Sequence, residues 1–213
     1  MLKGTAIETR YYGFLDRNIV PYLIRWRLKP DHVSLLGLLA GVTAGFSFAY
    51  SPFLGGFFTL LTGLMDTLDG TLARALDESR KFGAFLDSVL DRYAELIIFL
   101  GIWCYFYRHD VKLAFASLTI LFTVFGSLMV SYTRARAEGL GEHCMVGMFQ
   151  RGERIILLGL AGMINPFSNW IIGASGGRWA QDSLLVAALL IMAIGTNLTA
   201  IKRFLHVLNN LRP

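Results

Sequence analysis

The chain has 213 residues, of which 54% are hydrophobic and 16% charged, with a formal net charge of +5. Its mean hydropathy of +0.52 and low charge content exclude an ordinary soluble domain, in which about 25% of residues are charged. The basic residues lie between apolar segments and form no single stripe, so they favour membrane lipids and anionic substrates over nucleic acid as partners.

Residues 1–31 are predicted to form a juxtamembrane domain. The stretch from Thr9 to Pro30 mixes aromatic, aliphatic and arginine residues, which is typical of an amphipathic helix at the membrane interface. A surface helix packed on the rest of the protein explains the same pattern equally well. Pro30 is expected to end this helix, and Asp31 is a candidate cap for the next one.

Residues 32–213 are predicted to form one domain of six transmembrane helices, which makes the chain an all-α integral membrane protein. A bilayer requires about 20 apolar residues for each span. The predicted spans are about 32–50, 53–76, 81–107, 113–133, 153–173 and 183–201. Gly37, Gly41 and Gly45 line one face of the first span, where another helix could approach closely. That face fits packing within the bundle and also a dimer contact.

The basic residues also predict an orientation. With both termini on one side of the membrane, only Arg108, Lys112 and Arg178 lie on the opposite side. Cytoplasmic loops carry the excess of lysine and arginine. We therefore expect a multi-pass protein of the cell membrane, with both termini and a polar cavity facing the cytoplasm.

Four aspartates lie at the cytoplasmic ends of the second and third spans. Asp66 and Asp69 are three residues apart, and Asp87 and Asp91 are four apart, so each pair shares one face of a helix. Carboxylates at this depth are costly and usually mark function. Four of them could hold one or two divalent cations, and oxygen ligands suit Mg²⁺ or Mn²⁺ better than zinc. Two such ions about 4 Å apart can stabilise both oxygens of a phosphoryl transfer.

Other residues of this stretch suit a bulky anionic ligand. Small side chains leave room against the backbone at Gly70, Ala73 and Gly83. Arg74 and Arg80 offer fork-shaped donors for phosphate oxygens. A purely structural ion-pair network, in which Arg74 and Arg92 neutralise the acids, remains the alternative at this point.

The spacing D-x2-D-G-x2-A-R-x8-G-x3-D-x3-D, from Asp66 to Asp91, resembles the signature of the CDP-alcohol phosphotransferase (phosphatidyltransferase) family at every fixed position. The resemblance implies a six-span core behind an interfacial N-terminal helix, a cytoplasm-facing cavity and a homodimer. It also implies transfer of a phospho-alcohol group from a CDP-linked donor to an acceptor hydroxyl, with release of CMP.

Carried over by motif position, the resemblance assigns Asp66, Asp69, Asp87 and Asp91 to the metals, with Asp91 near the second ion and also the general base. The residues implied in donor binding are Lys29, Pro30, Asp31, His32, Gly70, Ala73, Arg74, Arg80 and Gly83. The family often has asparagine where this chain has Asp31 or His32. No serine, cysteine or histidine in the motif suggests a covalent nucleophile, so direct attack on the lipid-side phosphorus is expected.

A second polar cluster bears on the acceptor. Arginines end the fourth span and open the fifth, and the cluster consists of Arg134, Arg136, Arg151 and Arg154. Such a cluster would bind the phosphate of a phosphorylated acceptor. The general excess of arginine at cytoplasmic helix ends explains it as well. The pattern S-Y-T-R-A-R-A-E, followed by R-G-E-R, resembles the phosphatidylinositol-phosphate synthase branch. Gln150 departs from that branch, which often has glutamate there.

The resemblance to this branch implies inositol phosphate as acceptor and CDP-diacylglycerol as donor. Glycerol 3-phosphate is an alternative acceptor, because its phosphate needs the same arginines. CDP-inositol, which would give a di-inositol phosphate, and CDP-archaeol in a host with ether lipids are alternative donors. A cation-coupled transporter is the alternative outside enzymology, but it would usually place its acids near the midplane of repeated helices.

Overall fold

The computed structural model describes the backbone of residues 6–77, 81–109, 112–173 and 181–211. Within these ranges the chain forms eight helices and no strand. They are α1 Ala6–Asn18, α2 Val20–Arg25, α3 Pro30–Phe48, α4 Pro52–Ala75, α5 Lys81–His109, α6 Leu113–Glu138, α7 Arg151–Gly173 and α8 Ser183–Leu211.

Helices α3, α6 and α8 are long and apolar enough to cross a membrane. Helices α4, α5 and α7, with 24, 29 and 23 residues, occupy the positions of the other predicted spans. Helix α6 continues to Glu138 and α8 to Leu211, beyond the predicted ends at 133 and 201. Hydropathy registers only the apolar part of each helix, whereas arginine, lysine and glutamate extend a helix readily.

The N-terminal segment differs from the single helix expected from sequence. It is split at Ile19 into α1 and α2, and α2 already ends at Arg25. Pro30 begins α3, and Lys29, not Asp31, occupies the N-cap position. Proline suits the first turn of a helix because its missing N–H would have no partner there. The expectation that Pro30 ends a helix and Asp31 caps the next was wrong.

The N-terminal helices pack on the bundle. Leu15, Val20, Val33, Leu68 and Leu72 form a buried cluster that joins α1 and α2 to α3 and α4. The hydroxyl groups of Tyr11 and Thr67 lie 3.2 Å apart in the same region. This contact brings the N-terminal segment close to the acidic end of α4.

Glycines allow the main helices to cross closely. A Cβ added to Gly41 would lie 2.6 Å from the Cβ of Ala94, and one added to Gly101 would overlap the carbonyl oxygen of Gly45. Gly41 and Gly45 therefore pack on α5 within one chain, whereas Gly37 faces Met65 of α4. A larger core lies around this crossing and includes Phe48, Phe99, Ile102, Phe106, Leu189 and Met192.

A buried polar cluster closes the end of the bundle where α5 and α7 finish and α8 begins. Asp182 is 4% exposed, and its Oδ1 accepts hydrogen bonds from Asn165 Nδ2 at 2.6 Å, Asn169 Nδ2 at 2.9 Å and the Tyr105 hydroxyl at 3.1 Å. The backbone N–H of Asp182 donates to Asn169 Oδ1 at 2.8 Å. The carboxylate thus ties three helices together.

Candidate metal and phosphate site

Three aspartates converge at the opposite end of the bundle. Asp66 and Asp69 lie on one face of α4, and Asp87 lies in the second turn of α5. Each offers a carboxylate oxygen, and these three oxygens lie within 4.8 Å of one another. A donor set made only of carboxylates fits a hard divalent cation such as Mg²⁺ or Mn²⁺.

Helix α3 contributes a side chain that sequence reasoning missed. The Ser34 hydroxyl donates a hydrogen bond of 2.8 Å to Asp69 Oδ2. Asp69 is only 6% exposed, so this bond fixes the orientation of a carboxylate that has little access to water. The contact joins residues far apart in sequence, and no local spacing could have indicated it.

Asp91 lies outside the cluster of three carboxylates and is paired with arginines. Arg151, the first residue of α7, places Nη2 2.5 Å from Asp91 Oδ1 and pairs through Nη1 with Asp66. Arg92 Nη2 lies 3.7 Å from the other carboxylate oxygen of Asp91. The structure therefore brings one predicted acceptor residue, Arg151, directly against two predicted metal ligands.

Arg154 occupies a different environment from the one expected of an acceptor contact. It is 2% exposed and forms a two-pronged ion pair with Glu95, with N···O distances of 2.8 and 3.2 Å. Its Nη1 also donates to the Phe149 carbonyl at 3.2 Å. The guanidinium is thus already bound by protein groups. Its contact with an acceptor phosphate stays a prediction. Glu95 was missed, although its position four residues after Asp91 places it on the same face of α5.

Arg134 and Arg136 lie in the last turns of α6. Arg134 Nε pairs with Glu138 Oε1 at 2.8 Å, and Arg136 is exposed. Both side chains are accessible, so both are available to an anionic ligand.

The loop between α6 and α7, which leads into Arg151, is anchored on α8. Arg203 Nε donates to the Val146 carbonyl of this loop at 2.9 Å, while its Nη1 donates to the Val130 carbonyl of α6 at 2.6 Å. The Phe149 N–H donates to Thr199 Oγ1 at 3.2 Å. These bonds fix the loop that presents Arg151 to the acids.

The predicted donor-binding residues gather around the ends of α3, α4 and α5. A Cβ on Gly83 would lie 3.3 Å from Asp31 Oδ1, which places the start of α3 beside the first turn of α5. The backbone N–H of Lys29 donates to His32 Nδ1 at 3.4 Å. Pro30 and Ala73 are partly buried, and Arg80 lies outside the described residues.

Gly70 and Arg74 are close neighbours on α4. A Cβ on Gly70 would meet only Arg74 Nη1, at 3.7 Å. Arg74 Nη2 donates to Thr71 Oγ1 at 3.1 Å, and its guanidinium lies 5.5 Å from the centroid of the Tyr12 ring. The arginine remains exposed and is therefore oriented but available to a ligand.

Comparison with known sequences identifies relatives of the whole chain. Residues 27–209 match the sequence profile of the CDP-alcohol phosphatidyltransferase family. The chain is 36% identical over 208 residues to the archaetidylinositol phosphate synthase of Methanothermobacter thermautotrophicus, an alignment that covers 97% of each protein.

The fold is similar to crystal structures of the Mycobacterium tuberculosis phosphatidylinositol phosphate synthase. The structure with CDP-DAG bound has a TM-score of 0.75 and 26% sequence identity, covering 89% of this chain and 91% of the other. The complex with manganese and citrate has a TM-score of 0.76 at 26% identity, covering 89% and 87%.

Proposed function

Because the chain belongs to the CDP-alcohol phosphatidyltransferase family, and is thus a metal-dependent membrane transferase of phospholipid biosynthesis, we propose the following reaction. The enzyme transfers a phosphatidyl group from CDP-diacylglycerol, or a CDP-linked lipid of the same build, to a hydroxyl of inositol phosphate, and CMP leaves. The observation that carries this proposal is the contact of Arg151 with Asp66 and Asp91. This contact supports the proposal because a guanidinium, a group well suited to bind phosphate, lies directly beside the acidic cluster.

We also propose that α3–α8 all span the cell membrane and that the acidic end faces the cytoplasm. The distribution of arginine and lysine supports this orientation. The N-terminal helices expose Phe14, Tyr22 and Trp26, with Trp26 70% exposed, and aromatic residues of this kind favour the membrane interface. A homodimer remains part of the same proposal.

In this proposal the residues of α4 and α5 bind the metal and the donor. Asp66, Asp69 and Asp87 would hold one divalent cation, and Asp91 would help to hold a second. When bound, these cations supply positive charge that neutralises phosphate oxygens at the reacting phosphorus. Arg74 and the Lys29–His32 segment hold the nucleotide, while the small surface of Gly70 leaves room beside the helix.

Asp91 is proposed to take the proton of the acceptor hydroxyl. Arg92 Nη2 lies 3.7 Å from one of its oxygens, close enough to help orient the carboxylate. The hydroxyl oxygen then attacks the lipid-side phosphorus directly, the bond from phosphorus to the CMP oxygen breaks, and no phosphoryl-enzyme forms. The charge on the departing CMP is balanced by the groups that bound the donor.

The acceptor phosphate is proposed to bind the accessible arginines Arg134 and Arg136 together with Arg151, whose side chain is 15% exposed and borders the acidic cluster. Arg154 is proposed to act indirectly, by holding α7 against α5, because Glu95 and the Phe149 carbonyl already bind its guanidinium. The relatives described above are archaetidylinositol phosphate and phosphatidylinositol phosphate synthases, which supports inositol phosphate over glycerol 3-phosphate as the acceptor.

The deciding experiment is CMP release by purified protein in detergent or nanodiscs with Mg²⁺ or Mn²⁺. CDP-diacylglycerol and CDP-archaeol are each offered with inositol phosphate, glycerol 3-phosphate, serine or free inositol, and CDP-inositol is tested as a further donor. We expect the fastest metal-dependent release with inositol phosphate. Fastest release with glycerol 3-phosphate would assign the other acceptor, and no release with any pair would contradict the proposed function.

A further inference from the structure

Arg151 is a cation placed between helices that supply the acidic cluster. Its guanidinium pairs with Asp66 of α4 and with Asp91 of α5, at 2.5 Å in the second contact. The side chain is 15% exposed, so water screens these pairs only in part. One residue from α7 therefore bridges carboxylates on two other helices.

Asp66 is both a candidate metal ligand and an ion-pair partner of Arg151. It offers an oxygen to the cluster with Asp69 and Asp87, and it also pairs with Arg151. Asp91 does not belong to that cluster, and one of its oxygens is covered by Arg151. A guanidinium and a divalent cation that share a carboxylate repel each other and compete for its oxygen atoms.

The charges around Arg151 bear on how many cations the protein holds by itself. The ion pairs and the cluster involve the carboxylates of Asp66, Asp69, Asp87, Asp91 and Glu95 and the guanidinium groups of Arg92, Arg151 and Arg154. When all are ionised, two negative charges remain in excess, and one divalent cation neutralises them. A second cation near Asp91 would need Arg151 to leave or further negative charge to arrive.

We propose that Arg151 is an internal counter-ion that weakens cation binding at Asp66 and Asp91 until a phosphate group of a substrate draws it away. The inference rests on the proposed function for the identity of that substrate. Phosphate offers guanidinium two parallel charge-assisted hydrogen bonds, which makes it a strong competitor for the carboxylates. The phosphate can belong to the acceptor or to the nucleotide of the donor.

Manganese binding to the purified protein tests, without any turnover, whether Arg151 weakens cation binding. Mn²⁺ is titrated into wild type, Arg151→Gln and Arg151→Lys, with bound ion measured by electron paramagnetic resonance. We expect wild type and Arg151→Lys to bind one ion tightly, and Arg151→Gln to bind a second ion or the first about tenfold more tightly. Arg108→Gln removes the same charge at the other end of α5 and should match wild type. Equal binding by Arg151→Gln and wild type would overturn the inference.

Displacement by a phosphate group is tested by repeating the titration with inositol phosphate in one arm and CMP in the other, corrected for Mn²⁺ bound by each compound alone. In wild type, the compound that draws Arg151 away should raise Mn²⁺ binding to the level of Arg151→Gln, and it should change that variant little. The arm that responds identifies the source of the phosphate. No response in either arm overturns the displacement.

The wild-type arms keep the inference testable even if Arg151→Gln fails to elute as a single species, because displacement predicts their result without any variant. The outcome is also separate from the proposed function. CMP release with unchanged Mn²⁺ binding in Arg151→Gln would remove only the counter-ion role, whereas an absence of CMP release would remove the proposed function.

Discussion

Asp69 takes its orientation from a residue on another helix. Its Oδ2 accepts the Ser34 hydrogen bond, which holds the carboxylate beside Asp66 and Asp87. Groups that hold a ligand carboxylate in place commonly control metal affinity as strongly as some of the ligands themselves. Ser34 is therefore a positioning residue.

Removing the Ser34 hydroxyl should weaken metal binding. We expect Ser34→Ala to lower the Mn²⁺ affinity by about tenfold, because Asp69 can then rotate away from the cluster. Direct Mn²⁺ titration measures the change, and Ser34→Thr, which keeps the hydroxyl, is the matched control. An unchanged affinity in Ser34→Ala would show that the bond does not position Asp69.

Asp91 should be needed for turnover more than for metal binding. Asp91→Asn keeps the size of the side chain but cannot take up the acceptor's proton, so kcat should fall by at least about 100-fold. Mn²⁺ binding at Asp66, Asp69 and Asp87 should persist, because Asp91 lies outside that cluster. CMP release and Mn²⁺ titration are measured on the same preparation. An Asp91→Asn enzyme with nearly normal kcat would exclude Asp91 as the base.

The four aspartates could be singled out from sequence because they lie along two helices at spacings of three and four residues. Ser34 and Arg151 were not predictable as their partners, because both contacts depend on how α3 and α7 pack against α4 and α5. Glu95 carried a usable signal, since it continues the face of Asp91 by one turn.

The Glu95–Arg154 ion pair joins α5 to α7, and its contribution to the stability of the protein can be measured. Arg154 is 2% exposed, so Glu95→Gln would leave a buried guanidinium without its carboxylate. Breaking such a pair costs about 3–5 kcal/mol, and we expect a clearly lower Tm. Thermal unfolding of detergent-purified protein measures it.

The matched control replaces both partners by apolar residues, Glu95→Leu with Arg154→Met, which should restore part of the lost stability. A direct acceptor role for Arg154 predicts the opposite pattern. The Tm of Glu95→Gln would then stay unchanged while the KM for the acceptor alone shifts.

The cluster at the start of α8 should matter for stability and not for chemistry. Asp182→Ala leaves the donors of Asn165, Asn169 and Tyr105 without their acceptor, at a cost of about 2–3 kcal/mol. Tyr105 lies 14 residues along α5 from Asp91, about 21 Å at 1.5 Å per residue. We therefore expect a lower Tm with the KM for the CDP-lipid unchanged, whereas Asp16→Ala on α1 should alter neither. A changed KM would show that the two ends of the bundle are coupled.

Helix positions followed from hydropathy, but helix ends did not. The apolar runs located the first residues of α3–α8 to within two residues, because lipid-facing and core-facing positions are both apolar. The break at Ile19 and the role of Pro30 as a first helical residue were missed, since a proline is compatible with the end of one helix and the start of the next.

For the whole molecule, the proposed orientation predicts which loops are accessible from each side. In a chain with Cys104→Ser and Cys144→Ser, His143→Cys and Gln181→Cys each place one thiol at an exposed position. A membrane-impermeant maleimide should label His143→Cys only in inside-out vesicles and Gln181→Cys only in right-side-out ones. Labelling of both from the same side would contradict six spans.

The family and the reaction type were predictable from one stretch of sequence, because the residues from Asp66 to Asp91 resemble the family signature at every fixed position. The state of the arginines was not predictable, since it depends on which carboxylate each guanidinium reaches after folding. Arg151 reaches two aspartates and Arg154 reaches Glu95, although both lie in the first turn of α7.

The close contact between Gly45 and Gly101 sets the distance and angle between α3 and α5, and so the geometry of the acidic end of the bundle. Helix α3 extends from this point towards Ser34 and Lys29, and α5 extends from it towards Asp91 and Asp87. A single methyl group at either glycine would push α3 and α5 apart at the crossing. Because the helices are rigid, their ends at the acidic cluster would separate further. Distance from the metal is thus a poor guide to which changes in this protein are harmless.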